Sequence, residues 1–126
     1  MKNINIEQVK KFLIEKEEKI RSQKATEKEK IIRKLKNLNS LWEKYNIKKI
    51  YLYGSFTGLG FQADSDIDLA VDGKIEFKKL LELIAETQKQ FKREVDIRLL
   101  DEIPYKAKVL RTGAVVYERK HALTKK

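Results

Sequence analysis

Gly54 and Ser55 are followed, after ten intervening residues, by Asp66-Ile67-Asp68, and a third aspartate stands at position 96. A glycine beside a hydroxyl at the end of an apolar run lets the backbone approach a phosphate closely and adds a side-chain donor. Two carboxylates one residue apart share a face of a strand, where they repel unless a cation or proton lies between them. Such a pair of hard oxygens suits Mg²⁺ bridging nucleotide phosphates. A third carboxylate extends the chemistry from holding a nucleotide to activating a hydroxyl. In a two-metal site, one ion sits on the incoming triphosphate and the other on the attacking oxygen, so both ends of an in-line displacement are stabilised. The candidate metal ligands and catalytic residues are therefore Asp66, Asp68 and Asp96, with Asp96 on the second ion and helping to take the proton. Gly54, Ser55 and Ser65 are the candidate nucleotide-binding residues.

Several elements must position these groups. Ile47 to Tyr53 is rich in β-branched and aromatic residues and stops at a glycine, the pattern of a strand running into a tight turn. A short helix is expected to begin near Ser55, its unpaired N–H groups facing an anion. From Ser65 to Val71 a period of two sends Ile67, Leu69 and Val71 to a packed face and Asp66 and Asp68 to a polar one. Arg93 to Leu100 alternates in the same way, with Val95, Ile97 and Leu99 opposite Glu94, Asp96 and Arg98. Between these strands, Glu76 to Gln90 is an amphipathic helix with Phe77, Leu80, Leu81 and Ile84 on its packed side. Pro104 is expected to open a helix through Thr112 that Gly113 closes, and Ala114 to Glu118 reads as a further strand. In the N-terminal third, Ile6, Val9, Leu13 and Ile20, then Ile31, Leu35, Leu38, Trp42 and Tyr45, recur at helix spacing. Thr26-Glu27-Lys28-Glu29 has the form of a capping box, which predicts a break between Ser22 and Thr26 and a second helix running to Tyr45.

The combination Gly54-Ser55, ten residues, Asp66-x-Asp68 and a later strand-borne Asp96 resembles the nucleotidyltransferase superfamily of DNA polymerase beta. The resemblance covers residues 47 to 118, and the short chain makes it most similar to the minimal nucleotidyltransferases. It implies an α+β fold, a small mixed sheet flanked by helices, here with an N-terminal helical extension. It also implies an Mg²⁺-dependent transfer of AMP from ATP to a hydroxyl, a tyrosine of a HEPN-domain toxin, which makes the chain the antitoxin of the pair. One departure stands out: the Gly-Ser helix of the family often carries an arginine a few residues on, and Gly58 stands there instead. The acid triad is intact.

The resemblance divides the chain into a helical extension (residues 1–45), a nucleotidyltransferase domain (46–118) and a basic tail (119–126). The length of 126 residues and 41% hydrophobic content suit one modest core. With no cysteine there is neither a disulfide nor a thiolate metal site, and the single histidine, His121, lies in the tail, which argues against histidine-based catalysis or zinc. No apolar run approaches a bilayer-spanning length and no signal-peptide pattern opens the chain, so a cytoplasmic protein with no membrane partner is expected. The net charge of +10 is uneven: fifteen Lys and Arg against seven Asp and Glu over residues 1–49, seven against nine over 50–100, and seven against three over 101–126. The acidic stretch coincides with the candidate metal site, and the basic ends favour encounter with polyanions. Two alternatives to protein modification remain on this reading. One is a non-catalytic antitoxin that masks its partner by stoichiometric binding; the other is a transferase acting on a small molecule or an RNA end, for which the short chain offers no acceptor domain.

Overall fold

The computed structural model describes residues 5–57 and 65–120. Helix α1 spans Ile6–Lys36 without interruption. Its start is capped by Asn5, whose Oδ1 accepts from the N–H groups of Glu7 at 2.9 Å and Gln8 at 3.3 Å. Glu7 in the first turn and Arg33, Lys34 and Lys36 in the last complement the helix dipole. The predicted break is absent. The segment contains neither Gly nor Pro, and the Thr26 hydroxyl donates to the Ser22 carbonyl at 3.0 Å, bonding back along the helix instead of capping a new one. The break falls later, at Asn37. Its N–H reaches the carbonyls of Arg33 and Lys34, and the short helix α2, Asn39–Glu43, follows. Trp42 of α2 is fully buried, and its Nε1 donates to the Leu35 carbonyl at 2.9 Å, a second bond to a carbonyl that also accepts the Leu38 N–H at 3.2 Å.

Four strands form one mixed sheet in the order β3-β2-β1-β4. They are β1 (Ile47–Tyr53), β2 (Ile67–Gly73), β3 (Val95–Leu99) and β4 (Ala114–Glu118). Strand β1 pairs antiparallel with β2 and with β4, while β2 and β3 are parallel. A parallel pair requires a crossover, and helix α3, Phe77–Gln88, supplies it. One face of the sheet, carrying Ile50, Leu52, Ile67, Leu69, Val71, Val95, Ile97 and Val116, packs against Ile31 and Leu35 of α1, Trp42 of α2, and Leu80 and Leu83 of α3.

Two expectations are corrected here. The buried side of α3 is Leu80, Leu83 and Thr87, with Ile84 packed beside them, whereas Phe77 and Leu81 face solvent. The helix is seated by polar groups as well as apolar ones. Gln88 donates to the Arg93 carbonyl at 2.7 Å and accepts from the Val95 N–H at 2.9 Å, which locks the turn into β3 and selects the rotation of α3. Secondly, the sheet face that carries the aspartates is not simply polar. Tyr51, Tyr53 and Ala70 on that side are buried with Leu100, Ile103 and Val109. The last of these belongs to α4, Lys106–Thr112, which begins two residues after Pro104 rather than at it and ends before Gly113 as expected.

Candidate functional site

Gly54 ends β1 with φ +74°, a conformation that L side chains rarely adopt. A Cβ at this position would also fall against the Asp68 carboxylate, well inside contact distance. Glycine is thus favoured by the backbone geometry, and any Cβ would in addition push the Asp68 carboxylate aside. The expected helix near Ser55 is a single four-residue 3-10 turn, Gly54–Thr57. So short a turn carries little dipole, and what it offers is its backbone N–H groups and the half-buried Ser55. Gly54→Ala is expected to cost about 1–2 kcal/mol of stability through the left-handed backbone alone and to displace Asp68 as well. Thermal unfolding beside a transfer assay checks both, and a variant with wild-type melting and wild-type turnover would show that neither constraint operates.

The parallel pairing of β2 with β3 sets Asp68 directly opposite Asp96, so their side chains share one face. Asp66 lies just ahead of β2 and is exposed. Burial, then the carboxylates of Asp96 and Asp66, push the Asp68 carboxyl above its ordinary pKa, and Arg98 pulls it part of the way back. Asp96 is half-buried, and its Oδ2 accepts from Arg98 Nε at 3.1 Å. Among the described residues, no group of three His, Cys, Asp or Glu side chains is gathered tightly enough to enclose a metal ion unaided. The donor set nonetheless fits Mg²⁺. Two carboxylates in register, with a third close enough to be felt electrostatically, make a site short of positive charge and rich in hard oxygen, and Mg²⁺ characteristically takes one or two carboxylates and completes its shell with water and phosphate.

Asp68 and Asp96, but not Asp66, line a cleft of about 670 Å³ together with Tyr53, Gly54, Arg98, Tyr105, Lys108, Val109 and Thr112. Tyr53 and Tyr105 form one wall, with ring centroids 6.2 Å apart and planes tilted by 58°. Burial, then Tyr105, raise the Tyr53 phenol well above its ordinary pKa, so it stays neutral. Tyr51 and Tyr53 are core residues, as their strand positions imply, although Tyr53 also borders the cleft.

Neither Ser55 nor Ser65 is among the residues that line the cleft, and the Ser65 carbonyl accepts from Arg93 Nη1 at 3.1 Å. Arg93 also stacks on Phe56, with its guanidinium carbon 5.7 Å from the ring centroid, and pairs with Glu27 of α1 at 3.3 Å. One arginine thereby ties the turn after β1, the start of β2 and helix α1 together. Gly58 and His121 lie outside the described residues.

Sequence reasoning missed Arg98, Lys108, Tyr105 and Thr112. Arg98 was within reach, because strand alternation places it on the Asp96 face two residues on. The α4 residues carry no comparable signal, since nothing in their spacing says which strand that helix crosses.

A mixed four-stranded sheet, with helices over one face and strand-borne carboxylates facing a cleft on the other, is the architecture of a nucleotidyltransferase domain. The model of the Polymerase beta, Nucleotidyltransferase family matches residues 29–122, and the chain belongs to that family. No curated protein matches it significantly. Two solved structures share the fold. The crystal structure of a toxin–antitoxin with AMP-PNP is 22% identical, with a TM-score of 0.55, over 68% of this chain and 74% of that one. The crystal structure of a mutant of the toxin–antitoxin MntA-HpeT is 21% identical, with a TM-score of 0.53, over 74% of each chain. At these identities the likeness is one of fold. Among the described residues no helix is long and apolar enough to cross a membrane.

Proposed function

We propose that the chain is an Mg²⁺-dependent protein adenylyltransferase that transfers AMP from ATP to a hydroxyl of a partner toxin, of HEPN type and with tyrosine as acceptor, and thereby acts as its antitoxin in the cytoplasm. The observation that carries this reading is the register of Asp68 against Asp96 beside the left-handed Gly54, at the mouth of a cleft that also holds Arg98 and Lys108. The fold it shares with a toxin–antitoxin structure that holds AMP-PNP, and with MntA-HpeT, supports the choice of nucleotide and partner.

In this mechanism Gly54 and Ser55 would cradle the phosphates, with Ser65 at their side, and Asp66, Asp68 and Asp96 would hold the metal. When bound, Mg²⁺ supplies charge neutralisation and a template for the triphosphate. The acceptor oxygen attacks the α-phosphorus as its proton passes toward the Asp96 carboxylate. The bond from that phosphorus to the β-phosphate bridging oxygen breaks, pyrophosphate leaves, and a phosphodiester joins AMP to the acceptor. Arg98 and Lys108 supply, from within the chain, the phosphate-facing cations that Gly58 does not.

Incubation with the product of the adjacent gene, Mg²⁺ and ATP radiolabelled at either the α- or the γ-phosphate tests this. Label from the α position alone should reach the partner, and chelation should abolish it. A tight complex with no label would assign the masking role instead. Arg98→Gln removes a charge-assisted contact with the nucleotide, of a kind contributing about 1.5–3 kcal/mol, so KM for ATP should rise roughly ten- to hundredfold with a smaller change in kcat. An unchanged KM would remove Arg98 from phosphate binding.

A further inference from the structure

The N-terminal part of α1, up to residue 23, buries none of its side chains. Residues 5–23 are all exposed, and the family match begins only at residue 29. The Glu27–Arg93–Ser65 linkage sets Glu27 level with the sheet edge where β2 starts, so the preceding residues run out past the edge that bears Gly54, Ser55 and Asp66. At 1.5 Å per residue, residues 6–24 extend about 28 Å. Ile6, Val9, Leu13 and Ile20, with Phe12 alongside, lie exposed on the helix face that buries Ile31 and Leu35 about three turns further on. The core-packing stripe of α1 thus continues beyond the core, and no described residue covers it. A lone helix of this length is marginal in water, and its Glu17–Arg21 pair adds only tenths of a kcal/mol.

The charges beside the stripe indicate what covers it. Lys10, Lys16 and Lys24 border it and form no ion pair among the described residues, whereas its neighbouring acids are engaged, Glu17 by Arg21 and Glu27 by Arg93. A second copy fits poorly. Antiparallel pairing centred on Leu13 matches Ile6 with Ile20 but sets Lys10 against Lys16, and parallel pairing sets Lys16 against Lys16. An apolar helix with acidic flanks satisfies both the stripe and the lysines. We propose that residues 6–24 are a docking arm that grips an acidic amphipathic helix of the acceptor protein and holds it beside the catalytic edge. This rests on the reading of the acceptor as a partner protein.

The test measures the affinity of the full chain for the product of the adjacent gene, at two salt concentrations, alongside transfer of α-label. Leu13→Asp with Ile20→Asp should weaken binding at least a hundredfold. Lys10→Glu, Lys16→Glu and Lys24→Glu together should weaken it at least tenfold and flatten its salt dependence. Glu15→Lys, on the opposite face, should bind as wild type. All these positions are exposed except the half-buried Lys24, and far-UV circular dichroism checks that the helix persists. Wild-type binding by the arm variants overturns the arm, and so does no binding of the neighbour to wild type, or a wild-type dimer that Leu13→Asp converts to monomer. The Asp66→Asn, Asp68→Asn variant separates this from the catalytic reading. It should bind fully without labelling; arm-dependent binding with no label even from wild type would leave the docking arm standing and the transferase reading refuted.

Discussion

Asp66→Asn combined with Asp68→Asn is expected to lower AMP transfer by at least about a thousandfold while leaving the fold intact. A metal ion contributes several kcal/mol of charge stabilisation to such a transition state, and each 1.36 kcal/mol is a factor of ten in rate. Asparagine keeps the shape of aspartate and one of its oxygens but removes the charge that attracts the cation. The same change should stabilise the metal-free protein near neutral pH. The Asp68 pKa is raised in the folded state, by burial and then by Asp96 and Asp66. Its ionised form is therefore less well accommodated folded than unfolded. That penalty is present in full above the folded pKa and disappears as pH falls below the ordinary value of 3.8. Single Asp68→Asn should accordingly melt above wild type at pH 7 in metal-free buffer, with the gap closing in acid and narrowing on addition of Mg²⁺. Wild-type transfer by the double variant would dismiss these carboxylates as the metal site, and a lower melting temperature for Asp68→Asn would show that Asp68 is a structural residue.

Trp42→Ala should be the most damaging change outside the site. Trp42 is wholly buried in the core shared by α1, the sheet and α3, and its indole N–H occupies the Leu35 carbonyl at the end of α1. Truncating a buried Trp typically costs about 3–5 kcal/mol, against a total stability of about 5–15 kcal/mol for a typical domain. At about 4 °C per kcal/mol, the midpoint should fall by about 12–20 °C. Trp42→Phe should recover most of the packing without the hydrogen bond. Phe77→Ser supplies the contrast: read from the amphipathic pattern, Phe77 belongs to the core, yet it is 73% exposed, so its loss should move the midpoint little. Chemical denaturation of the three variants separates these cases, and a Phe77→Ser loss comparable to that of Trp42→Ala would return Phe77 to the core.

Phe77 marks the limit of pattern reading. Period alone identified α3 as a helix, but Phe77, Leu80, Leu81 and Ile84 make almost as good a stripe as Leu80, Leu83 and Thr87. The choice between them was made by Gln88, clamped to Arg93 and Val95 beyond the helix. Thr26 is a similar case: its spacing to Glu29 spells a capping box, but a hydroxyl with a helical carbonyl four residues back has an equivalent partner, and nothing local separates the two states.

Local chemistry was sufficient for the strand that stops at Gly54, the turn that requires a left-handed residue there, the alternation that sets Asp68 away from Ile67 and Leu69, and the helix stop at Gly113. Each depends on the backbone preferences of a few neighbouring residues, and sequence displays those directly. The placement of Asp68 opposite Asp96, the meeting of Arg98 and Lys108 across one cleft, and the single unbroken α1 with an arm beyond the sheet were settled only by folding. They rest on contacts between residues far apart in the chain, as Glu27 and Arg93 are, and such pairings depend on sheet register and on which helix crosses which strand. Neither leaves a trace in the spacing of residues along the chain.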